Sequence, residues 1–92
     1  MKKTELVQAF EKATELGVSY IGIRVRMKGY PDDELIINPL SNFSMKLEYY
    51  QKVYDDDLQH KFSPDVRIID AAYGNSLAFI EEAIKHKGEN AQ

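Results

Sequence analysis

The sequence predicts an α+β domain, a two-layer sandwich in the order α-β-β-α-β-α over a three-stranded sheet. Three observations carry this. Apolar residues recur with the helical period of about 3.6 in three segments. They alternate with period two in the stretch Ile21–Met27, and the turn-forming clusters GYPDD, FSPD and YGNS separate the remaining segments.

Residues 4–16, TELVQAFEKATEL, place Leu6, Ala9, Phe10, Ala13 and Leu16 on one side of a helix. Thr4 suits the N-cap, Glu5 the positive helix end, and Gly17 the stop. The period then changes to two. Ile21, Ile23, Val25 and Met27 alternate with Tyr20, Gly22, Arg24, Arg26 and Lys28, which describes a strand with one buried face. Pro31 follows Tyr30 and sets a turn, and ELIIN, closed by Pro39, is the second strand of a long-looped hairpin. The first two strands are therefore antiparallel; the third can lie either way.

The segment SNFSMKLEYYQKVYDDDLQHKF carries the longest helical pattern. Phe43, Leu47, Tyr50, Tyr54 and Leu58 form its apolar stripe, with Ser41 or Asn42 as cap. Pro64 ends it. VRIIDAAY is the third strand, and Asn75 or Ser76 caps a last helix, LAFIEEAIKHK, with Lys85, His86 and Lys87 at its negative end. Residues 1–87 make one domain, and residues 88–92 are expected to be a disordered tail.

A chain of 92 residues, 43% hydrophobic, has room for one core. It has no cysteine, which excludes a disulfide framework and thiolate chemistry and suits a reducing interior. No apolar run reaches the length of a membrane span and no signal-peptide core follows Met1, so a cytoplasmic protein is expected. The net charge of −3 is unevenly spread: residues 31–60 hold Asp32, Asp33, Glu34, Glu48, Asp55, Asp56 and Asp57 against Lys46 and Lys52. That balance argues against general polyanion binding.

The run YYQKVYDDDL concentrates the chemical questions. On a helix, Asp55, Asp56 and Asp57 point in three directions and cannot share one ion. As a calcium loop the segment lacks the required glycine and final glutamate, since those positions hold His60 and Val66. Asp56–His60 and Glu82–His86 share helix faces at i,i+4, but two ligands fall short of a zinc site, and polar pairs of this kind commonly decorate solvated helices. Tyr50 and Tyr54 belong to the stripe, with their phenol tips hydrated at its edge. Tyr49 lies off it and, beside Asp55 and Asp56, is an interface candidate. Phe79 widens the apolar arc of the last helix and is either wedged in the core or meets a second chain.

Arg24, Arg26 and Lys28 share a strand face with Tyr20, an arrangement that can hold single-stranded nucleic acid by phosphate neutralisation and base stacking. Glu34 across the hairpin can instead neutralise one of these bases. Gly74 lacks the companion glycines and lysine of a phosphate loop. The serines at 41, 44, 63 and 76 lie at caps or turns without a nucleophile-elbow pattern, so no enzyme chemistry, metal or cofactor is expected.

NFSMKLEYYQKVYDDDL, followed by a short strand and AAYGNSLAFIEEAI, resembles a family of small uncharacterised proteins carried by phages and prophages of Gram-positive bacteria. The likeness covers chiefly residues 42–84. It implies a binding or host-modulating role and transfers no catalytic residue. The sequence thus leads to a non-enzymatic protein-interaction module using an acidic helix, pairing with a protein partner or with itself as a homodimer. Single-stranded nucleic-acid binding through Tyr20, Arg24, Arg26 and Lys28 is the alternative, and no membrane contact is expected.

Overall fold

A computed structural model describes residues 1–90, with side chains described through Lys85. The first helix, α1 (Lys3–Leu16), buries Leu6, Phe10 and Ala13. It starts before the expected cap Thr4. Lys2 is the N-cap, its backbone N–H donates to Glu5 Oε1 at 2.8 Å, and the Lys3 N–H donates to the Asp56 carbonyl at 2.9 Å. A tertiary contact therefore extends the first turn past the point where local capping would have begun it. Gly17 ends the helix at φ 66°, a left-handed conformation that glycine adopts without steric cost.

Strands β1 (Tyr20–Met27) and β2 (Glu34–Pro39) pair antiparallel, with Ile23 opposite Ile36. Strand β3 (Val66–Gly74) is also antiparallel to β1, on its other side, giving the order β2-β1-β3. Arg24 pairs with Asp70 and Val25 with Ile68, so Ile69 is the extra residue of a bulge.

The α+β class and the element order are those expected, but the helices divide between the two faces. Ile21, Ile23, Val25, Ile68 and Ala71 pack with Leu6 and Phe10 of α1 and with Phe43 and Tyr50 of helix α2 (Phe43–Val53). The opposite face is covered by α3 (Leu77–Asn90), whose Ile80 and Ile84 cluster with Ala72, Leu35 and Ile37. The two-layer sandwich thus gains a third layer. Gly22 makes this possible: a Cβ there would lie 2.5 Å from Ile80 Cγ2. The period-two pattern marks one face as apolar and Gly22 as a gap; it does not show that α3 fills the gap. Ser76 is the cap of α3, its Oγ accepting from the Phe79 N–H at 3.1 Å. The helix runs to Asn90, three residues past the expected end at Lys87. His86 and Lys87, and with them the Glu82–His86 pair, lie outside the residues whose side chains are described, as do residues 91–92 of the expected tail.

The largest departure is at the end of α2. The expected helix to Leu58 stops at Val53, and Tyr54 is already extended. Asp55 Oδ1 accepts from the N–H groups of Asp57 (2.9 Å) and Gln59 (3.0 Å), and the Leu58 N–H donates to the Asp55 carbonyl at 2.9 Å. Aspartate offers the backbone this alternative to helix, and three carboxylates at the negative end of a helix are electrostatically unfavourable. Leu58 sits at φ 62° and is fully buried. Burial of its side chain holds a conformation that costs about 1–2 kcal/mol. The chain then returns along β3, through bridges Tyr54–His60 and Gln59–Arg67.

Candidate interaction surface

The acidic run is therefore a turn rather than a helical face, and its three carboxylates have three different environments. Asp55 organises the turn. Asp57 pairs with Lys2, which holds its carboxyl below the usual carboxylate value and raises the Lys2 amine in turn. Asp56 lines a groove of about 650 Å³ beside Lys2, Lys3, Glu11 and Gln51, and Lys3 Nζ donates to the Gln51 carbonyl at 2.9 Å. Among the described residues no three His, Asp or Glu side chains converge as a metal site would require. The helical Asp56–His60 pair does not form, because no helix spans it.

Tyr50 and Tyr54 are 3% and 5% exposed, so their phenols are not hydrated at an edge as expected. Burial raises the Tyr50 hydroxyl, beside Asn38, and pushes that of Tyr54 up to about 12. These rings form the middle of a connected aromatic series. Tyr50 meets Tyr49 at 5.5 Å and Tyr54 at 5.9 Å; Tyr54 meets His60 at 5.0 Å, and His60 meets Phe62 at 6.1 Å. The two ends of the series reach solvent: Tyr49 is 44% exposed and Phe62 is 78% exposed. Lys46 Nζ stands 5.7 Å from the centre of the Tyr49 ring. The Phe62 N–H donates to His60 Nδ1 at 3.1 Å, fixing the ring that supports it. Sequence reasoning found Tyr49 and missed Phe62, because extending α2 to Leu58 hid the return that brings His60 under Tyr54. The Ser63–Pro64 break was the available sign that Phe62 sits at a turn.

The expected interface residues do not form one patch. Residues Ser44, Leu47 and Gln51 of α2 look toward α1, and Tyr49 lies on the opposite flank, about 200° round the helix from Gln51. Helix α2 packs against β2 and α1 against β3, so the Tyr49 flank belongs to the β2 side of the molecule. Phe79 is at the β3 edge, its ring over Gly74, where a Cβ would come within 2.5 Å of Cδ1.

The basic strand face is largely committed internally. Asp33, not Glu34, is the partner: Arg24 Nε donates to it at 2.7 Å, and Arg26 donates through Nε at 3.0 Å and Nη2 at 3.1 Å. Glu34 pairs with Val25 in the ladder and so falls on the other face. The Arg26 guanidinium holds the Asp33 carboxyl below its usual value against the opposing effect of burial, and Arg24 adds to the lowering. Tyr20 packs into the cluster under α3. Of the expected nucleic-acid face, Lys28 and part of Arg26 remain exposed.

Among the described residues no helix is long and apolar enough to cross a membrane. No family model, curated protein or solved structure matches the chain.

Proposed function

We propose that the chain is a non-enzymatic protein-binding module that takes a basic, leucine-containing segment of a cytoplasmic partner against Tyr49 and Phe62. The observation that carries this reading is the ring series itself. Tyr49 rests against buried Tyr50, and Phe62 against His60, which itself meets buried Tyr54, so the two exposed rings offer large contact area on a connected aromatic support. Residues 31–60 carry more acids than bases, and although Asp33 and Asp57 are paired internally, the remaining excess favours a basic partner. The resemblance of residues 42–84 to small phage and prophage proteins supports a host-modulating role for such a contact.

The test is a nuclear magnetic resonance titration with a lysine- and leucine-rich helical peptide. Amide shifts concentrated at Tyr49, His60 and Phe62 are expected. Tyr49→Ala with Phe62→Ala should weaken binding about tenfold or more while leaving the melting temperature within a few degrees. An unchanged spectrum would remove the reading. Shifts confined to Arg26, Lys28 and Tyr30 on adding a short single-stranded oligonucleotide, and fading with salt, would favour the nucleic-acid alternative.

A further inference from the structure

The turn that carries Phe62 hangs on one side chain. The backbone on either side of it is pinned. The His60 N–H donates to the Val66 carbonyl at 2.9 Å, the Lys61 N–H to the Val53 carbonyl at 2.8 Å, and the Val66 N–H to the Ser63 carbonyl at 2.9 Å. Gln59 Nε2 donates to the Pro64 carbonyl at 2.6 Å. Between these anchors the Phe62 N–H has, among the described residues, a single acceptor, His60 Nδ1 at 3.1 Å. The imidazole lies between two rings, its centre 5.0 Å from that of Tyr54 and 6.1 Å from that of Phe62. A ring that accepts at Nδ1 is neutral and carries its proton on Nε2.

From this we infer that protonation of His60 at Nδ1 releases Phe62, so that acidification loosens one end of the aromatic contact. Both nitrogens of an imidazolium are donors, so the Phe62 N–H then faces another N–H and its bond is lost. The backbone of residue 60 cannot follow, because the Val66 carbonyl holds it, and the freedom gained falls on Phe62. Histidine is the side chain whose charge ordinarily changes between about pH 5 and pH 8. The titratable group against the ring is the Tyr54 phenol, pushed up to about 12 by burial and so neutral across that span. The charged residues on the adjoining segments are Asp55, which accepts from the Gln59 N–H, Lys61, Asp65, and Arg67, which bridges to Gln59. Among the described residues none of these four bonds to the imidazole. A positive charge at His60 also repels a basic segment, an effect of the same direction. What the switch gates rests on the contact proposed above; the switch itself does not.

A nuclear magnetic resonance titration of the free chain from about pH 8 to about pH 5 tests it. At the upper end the His60 ring nitrogens should show the proton on Nε2. As the ring is protonated, the Phe62 amide order parameter should fall from about 0.85 toward about 0.6, with the midpoint of the His60 ring signals. The His60 and Lys61 amides, pinned by backbone bonds, should stay ordered. His60→Phe keeps a ring against Tyr54 but neither accepts nor titrates, so Phe62 should be equally mobile at both ends of the titration. Affinity of the wild type for the lysine- and leucine-rich peptide should fall about two- to tenfold over the same span, and that of His60→Phe should not change with pH. An Nδ1–H tautomer at the upper end, or a Phe62 amide equally ordered at both ends, overturns the inference and leaves the binding reading standing. A peptide that binds at neither end removes that reading instead, and the free-chain titration still decides the switch.

Discussion

Asp33 accepts hydrogen bonds from two arginines at once, and its side chain is 14% exposed. Its folded pKa is depressed, so the stability it supplies is complete above the unfolded carboxylate value of about 3.9 and is lost as pH falls through the lower folded value. Asp33→Asn should cost about 1–2 kcal/mol near neutral pH, in the range of charge-assisted hydrogen bonds. In urea titrations the gap between wild type and variant should narrow as the pH falls below the ordinary carboxylate value. A gap that is constant from neutral to acid pH would contradict the assignment of Arg24 and Arg26 to Asp33. The same pairing explains why a stripe that reads as basic in sequence does not present its full charge to a ligand.

At the scale of elements, α3 depends on the absence of a side chain at Gly22. Ile80 is fully buried there, and its Cγ2 is fixed by the stiffness of a β-branched residue, so it cannot swing clear of a new methyl. Gly22→Ala should destabilise by about 1–3 kcal/mol through overpacking. Hydrogen exchange should show faster opening in α3 than in α1 or α2. Uniform loss of protection, or none, would show that α3 is not seated on Gly22. The elements themselves were legible in sequence wherever periodicity and punctuation agreed, as in α1 with Gly17 and in the hairpin between Met27 and Glu34. They were not legible where competing local bonds decided the outcome. The Leu47–Tyr50–Tyr54–Leu58 spacing fits a helix, yet the Asp55 carboxylate captures two backbone N–H groups and turns the chain. Tyr54 and Leu58 are buried all the same, so the stripe identified the core correctly while misplacing the backbone that delivers it. The candidate site suffered most from this, because His60 and Phe62 join the ring series that begins at Tyr49 only through that return.

For the whole molecule, the Asp55–Leu58 turn joins distant parts of the chain. Lys2 and Lys3 of the N-terminal helix are tied to Asp57 and Asp56, and the Leu58 carbonyl accepts from the Ile68 N–H of β3. One sequence run thus serves folding at Asp55, helix anchoring at Asp57, and surface charge at Asp56. The division of the aspartates is the central claim, because the exposed aromatic pair exists only if the chain turns at Asp55. Urea midpoints of Asp55→Ala, Asp56→Ala and Asp57→Ala test it most directly. Asp55→Ala should lose about 1–2 kcal/mol, as for other side-chain caps of backbone N–H groups. The other two should stay within about 0.5 kcal/mol of wild type, as exposed charges do. Equal midpoints for all three variants would contradict it.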